Sequence, residues 1–141
     1  MIIYVDTSVL VALCTNEPRT EAISRWYRLC RDELVSAVWC VTEFASALGI
    51  KQRSGQMTDI QAASAWQRFE RLCAHDLQLL PVEPATFHRA AILTLEAQSG
   101  LRAGDALHMA AALDARAASM ATLDGVLAKN AARLKLKLVR L

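Results

Sequence analysis

Short apolar runs alternate with stretches of helical period along the whole chain, and that order leaves few folds open. Ile2 to Val5, Glu33 to Ala37, Leu77 to Val82 and Ser119 to Leu123 each read as a short strand bounded by polar or turn-forming residues. Between them, apolar residues recur every three to four positions: Ala22, Ile23, Trp26, Tyr27 and Cys30; Phe44, Ala47 and Leu48; Ala62, Trp66, Phe69 and Cys73. Ser8 is placed to cap a first short helix ending near Cys14, and Pro18 stands near the start of the second. A third helix is expected from about Trp39 to Arg53. Thr58-Asp59-Ile60-Gln61 has the form of a capping box opening a fourth, and Pro84 begins one that stops at Gly100. Asp105 opens an apolar helix, Gly125 to Leu134 forms another, and Lys135 to Leu141 alternates basic and apolar residues like a half-exposed strand. Pro81 ends the third strand or places it at an edge. The order predicts an α/β fold, a mostly parallel central sheet of four to five strands with helices on both faces.

The chain has 141 residues, enough for one domain, expected over residues 1–141. Hydrophobic residues make up 54% of it, so the core is large for the size, yet no apolar run is long enough to span a bilayer. Met1 to Asp6 has neither a basic leader nor a small-residue cleavage site, and the expected location is cytoplasmic. Cys14, Cys30, Cys40 and Cys73 make no Cys-x-x-Cys pair and read as free thiols in apolar helical surroundings. The net charge of +2 is uninformative about partners. Its distribution is less so: no acid follows Asp124, whereas Lys129, Arg133, Lys135, Lys137 and Arg140 do. Such a face is ordinarily solvated, though it could hold a phosphate backbone or an acidic segment.

Asp6, Glu43, Asp105 and Asp124 each lie where a strand gives way to a helix or in the early turns of a helix. Any one alone is an ordinary helix cap. Together they mean more, because in a parallel sheet such positions converge on the C-terminal edge of the strands, where open α/β folds place their chemistry. Two carboxylates about 4 Å apart repel by around 4 kcal/mol at an effective dielectric near 20. A group of four is tolerated with a bound cation, with protonation, or with solvent between. Oxygen donors without a Cys or His pair suit Mg²⁺ or Mn²⁺ better than Zn²⁺. Such an ion orients and acidifies a water and neutralises charge on a phosphodiester.

The stretches Val5-Asp6-Thr7-Ser8-Val9-Leu10, Thr42-Glu43-Phe44-Ala45, Leu101 to His108 and Ala121-Thr122-Leu123-Asp124 together resemble a PIN-domain ribonuclease, and within that family the VapC-type toxins of toxin–antitoxin pairs. They occur in the family's order and approximate spacing. The resemblance implies a three-layer PIN fold, an RNA substrate, Mg²⁺ or Mn²⁺ as cofactor, and a homodimer neutralised by a small antitoxin. It implies that Asp6, Glu43 and Asp105 are the principal metal-binding acids, with Asp124 the fourth, and that Ser8 supports the site, with Thr122 a second such hydroxyl. Arg102 is a candidate phosphate contact and Trp39 a candidate stacking platform for a base. His108 falls one turn after Asp105 and reads as a packed residue. Two other functions are open. A phosphoacceptor receiver domain would need paired acids after the first strand and a lysine after the last core strand, and neither is present. A non-catalytic RNA- or partner-binding module would have no reason to keep four mutually repelling acids.

Overall fold

The computed structural model describes residues 1–141. One all-parallel sheet of five strands has the order β3–β2–β1–β4–β5. β1 (Ile2–Val5) lies at the centre between β2 (Glu33–Ala37) and β4 (Ser119–Ala121). β3 (Leu77–Leu80) and β5 (Lys137–Leu138) form the edges.

Side chains alternate across a strand, and in β1 that alternation divides the core into two. Ile3 and Val5 belong to one apolar cluster and Tyr4 to the other. The first cluster is closed by α1 (Thr7–Cys14), α2 (Thr20–Leu29), α3 (Trp39–Arg53) and α4 (Asp59–His75). The second is closed by α5 (Pro84–Leu95), α6 (Ala103–Asp114) and α7 (Gly125–Arg133). The result is three layers, helices on both sides of the sheet. Phe44 of α3 stacks on Phe69 of α4 with centroids 4.2 Å apart, and Trp66 tilts against both rings. α6 is the most deeply set helix. Every residue from Ala106 to Ala112 is buried, and its alanines let the backbone lie close to the sheet and α5.

Several boundaries differ from those expected. α1 is capped by Asp6, whose backbone is still extended, so Ser8 falls inside the helix and not at its cap. α6 begins at Ala103, and Asp105 is its third residue, not its first. α5 stops at Leu95 because Glu96 leaves helical geometry; a separate 3-10 turn over Ala97–Ser99 then leads to Gly100 at φ +69°. Of the alternating tail only Lys137–Leu138 pairs with β4, because Lys135 turns the chain with φ +65° just before it. β3 ends at Leu80, one residue before Pro81, at the sheet edge. Cys14 and Cys40 are buried, Cys30 and Cys73 half-buried, and all four are free.

Candidate active site

Because all five strands are parallel, their C-terminal ends lie along one side of the sheet. The β1–β4 register pairs Val5 with Ala121, and Asp6 N–H continues the ladder by donating to Ala121 O at 3.1 Å. Asp6 and Thr122 therefore leave neighbouring strands side by side. The Asp6 carboxylate is only 2% exposed and is held on both oxygens. Its Oδ1 accepts from Ser8 Oγ at 2.6 Å and Val9 N at 3.3 Å; its Oδ2 accepts from Thr122 Oγ1 at 2.7 Å. Those hydroxyls tie the start of α7 to the same spot. Ser8 Oγ accepts from Leu123 N, and Thr122 Oγ1 from Asp124 N, both at 3.0 Å. Burial pushes the Asp6 carboxyl above its ordinary value, partly offset by Ser8 and Thr122.

Glu43 comes from the second turn of α3. Its Oε1 accepts from Thr7 Oγ1 at 2.7 Å and is hydrogen-bonded to His108 Nε2. Burial pushes this carboxyl up, but the hydrogen bonds from His108 and Thr7 outweigh it and leave Glu43 below its usual value. Asp105 sits in the first turn of α6, where Oδ2 accepts from Arg102 N at 3.2 Å. Burial raises its carboxyl, and the charges of Asp124 and Glu43 raise it further. Asp124 caps α7, accepting from Leu127 N at 2.9 Å. The four acids come from four places in the chain, and the charges of Glu43 and Asp124 are felt at Asp105.

No lysine or arginine balances those charges. The Lys and Arg ion pairs of the molecule leave all four acids untouched, and the one basic side chain bonded to Glu43 is His108. Glu43 Oε2, Asp105 Oδ1 and Asp124 Oδ2 accept no protein hydrogen bond. Hard oxygen donors with unpaired lone pairs and uncompensated charge fit a divalent cation of the Mg²⁺ or Mn²⁺ type. As they stand the side chains do not form a closed cage, since no three His, Cys, Asp or Glu groups converge at metal-ligand spacing.

Around the acids, Arg102 is exposed at the N-cap of α6 and its guanidinium is in no ion pair or hydrogen bond. Trp39, the first residue of α3, is half-buried against the Tyr4 cluster. Its indole N–H is buried, has no partner of good geometry, and lies beside Glu43 and Gly104. Sequence reasoning took His108 as a packed residue; it is 2% exposed and also bonded to Glu43. Thr7, quoted only as part of the Val5-to-Leu10 stretch, and Tyr4 carry no role in the sequence reading, yet Thr7 bonds Glu43 and Tyr4 bonds His108.

The architecture has counterparts among known proteins. The PIN domain model matches residues 3–133. The chain belongs to the PIN-domain family. No curated protein matches the sequence. Among solved structures, this PIN domain is similar to VapC20 of Mycobacterium tuberculosis, described as a sarcin-ricin loop cleaving toxin. The TM-score is 0.73 at 17% identity, over 91% of this chain and 94% of that one. It is also similar to VapBC2 of Rickettsia felis bound to a DNA fragment from its promoter (TM-score 0.69, 15% identity, 99% and 98% covered). FitAcB of Neisseria gonorrhoeae gives a TM-score of 0.70 at 18% identity, with 98% and 96% covered. At such identities the likeness is one of fold. No helix of this PIN domain is long and apolar enough to cross a membrane.

Proposed function

We propose that this PIN domain, acting as one unit over residues 1–141, is a Mg²⁺-dependent endoribonuclease of the VapC type, the toxin of a toxin–antitoxin pair in the cytoplasm. The observation that carries this is the uncompensated acid group at the C-terminal sheet edge, with Asp6 buried beneath it on three donors. Asp6, Glu43, Asp105 and Asp124 would hold the ion, Mn²⁺ serving in place of Mg²⁺. When bound, a divalent ion acidifies water and offsets charge on a phosphodiester. The chain's own residues do the rest. Ser8 and Thr122 fix the direction of the Asp6 oxygens, and Thr7 and His108 fix Glu43. Arg102, free of ion pairs at the rim, is positioned to take a phosphate oxygen. Trp39, half-buried beside Glu43, is the candidate platform for a stacked base. Hydrolysis with O3′ as leaving group gives 5′-phosphate and 3′-hydroxyl ends.

The structural likeness to VapC20, a sarcin-ricin loop cleaving toxin, supports RNA as the substrate class, and the likeness to VapBC2 supports a cognate antitoxin. A homodimer is part of the same reading. Sequencing RNA ends after brief induction of the parent and of Asp6→Asn tests activity and target together. The parent is expected to generate new 5′-phosphate ends. The variant is expected to lose cleavage by more than about 100-fold, the upper range for loss of even an outer partner of a metal site. Cleavage at the parent rate by Asp6→Asn, or by the parent in excess EDTA, ends the proposal. A non-catalytic module that only binds RNA or a partner is favoured by one observation, the absence of three converging metal donors. RNA binding indifferent to metal, with no cleavage, would select it.

A further inference from the structure

Behind Glu43 lies a polar chain that RNA hydrolysis alone does not explain. Tyr4 is fully buried in the central strand, and its hydroxyl lies 2.7 Å from His108 Nδ1, a residue 104 positions away in α6. Ala37 N donates to the same hydroxyl at 3.1 Å. The far side of the imidazole meets Glu43 Oε1 and lies 3.2 Å from Thr7 Oγ1. The tyrosine and histidine rings pack edge to face, with centroids 5.8 Å apart.

What each group can donate or accept limits where the protons lie. A backbone N–H only donates, so the Tyr4 oxygen accepts from Ala37. The hydroxyl has one proton and one further lone pair; with His108 Nδ1 accepting that proton, the donors run from Ala37 to Glu43 without a break. A ring nitrogen that accepts carries no proton, so the proton of His108 sits on Nε2 and points at Glu43. Thr7 Oγ1 spends its proton on Glu43 and offers a lone pair to the same Nε2–H. Every donor in the chain finds an acceptor under this assignment.

The geometry points to Tyr4 and His108 as a positioning pair that fixes Glu43 through the Nε2–H tautomer of His108. The pair does what an arginine or lysine in its place would not. It presents one ring N–H to the carboxylate, from a ring held on its far side by the Tyr4 hydroxyl. The inference rests on the nuclease reading only in taking Glu43 for a metal-holding acid.

The test uses the full chain and reads more than activity. Ring ¹⁵N spectra of the metal-free parent at neutral pH are expected to show His108 protonated on Nε2 and bare on Nδ1. Tyr4→Phe, which keeps the ring and loses the hydroxyl, is expected to drift toward mixed tautomers. Calorimetric titration with Mn²⁺ is expected to show affinity reduced about tenfold in His108→Leu. Affinity should be largely restored in His108→Gln, whose amide N–H reaches the place of Nε2–H, and intermediate in Tyr4→Phe. A proton on Nδ1 in the parent overturns the proposal, as does His108→Leu binding Mn²⁺ like the parent, or His108→Gln no better than His108→Leu. If His108→Leu does not fold, the ring spectra of the parent and of Tyr4→Phe decide. RNA cleavage is followed on the same samples: the expected tautomer and affinity series without cleavage by the parent leaves the pair standing and removes the nuclease reading.

Discussion

Asp6 caps a helix and carries a buried charge, and the two roles pull stability in opposite directions. As a cap it accepts from Val9 N, and its other contacts are hydroxyls that can reorient to serve a neutral amide. As a buried carboxylate it has a folded-state pKa above its unfolded one. The native state therefore binds the proton more tightly. The cost of the charge is fully present above that folded range and fades as the pH falls through it. Asp6→Asn is thus expected to melt a few degrees higher than the parent near neutral pH, about 1 kcal/mol for a chain of this size. The gain should shrink steadily in acid, as thermal melts across pH 4 to 8 will show. A lower melting temperature at pH 7 would mean that hydrogen bonding to the ionised form outweighs burial. At this scale, Asp6 was legible because it follows a strand directly, whereas Thr122 fell inside the expected strand and entered only through the family resemblance. Tyr4 and His108 were not: each is embedded in an apolar run, and nothing in the period of either run reveals that a polar atom will find its partner across the sheet.

At the scale of the element, α6 shows how a helix start is shaped by what it must admit. Gly104 has an ordinary helical backbone, so helix formation gives no reason for a glycine there. A Cβ at this position would meet Glu43 Oε2 at 3.1 Å and Trp39 Nε1 at 3.5 Å. The glycine leaves room for α3 and α6 to bring their acids together. Gly104→Ala should gain up to about 0.5–1 kcal/mol from helix propensity. It should nevertheless lose cleavage and Mn²⁺ affinity as Glu43 is displaced, so a melt and a titration on one sample are expected to move in opposite directions. Parent-like affinity would show that the carboxylate can give way at no cost. The existence and type of the elements were readable because apolar spacing reports burial directly. Their ends were not: the start of α6 is set by Asp105 reaching back to Arg102 N, which takes the turn-like Ala103-Gly104 into the helix.

For the whole molecule, the apolar surplus of the sequence is only partly spent inside. Thr86, Ala90 and Leu93 of α5 are buried, yet the outer face of the same helix shows Phe87, Ile92 and Leu95 at 51%, 57% and 78% exposure. Phe87, Ala91 and Leu95 lie one turn apart along it, so these residues form a stripe and not scattered positions. Exposed apolar residues aligned in this way mark an association site. α5 runs into the 3-10 turn and then α6, so a partner seated there would lie next to the segment that carries Arg102 and Asp105. The homodimer proposed above is therefore assigned to this face. Sedimentation velocity at micromolar concentration is expected to give a dimer for the parent and a monomer for Ile92→Asp. The substitution is exposed in the single chain and should leave its melting temperature within about 0.5 kcal/mol of the parent's once dissociated. A variant that remains dimeric would move the interface elsewhere, with exposed Ile50 and Ile60 on the opposite layer as the next apolar residues to substitute.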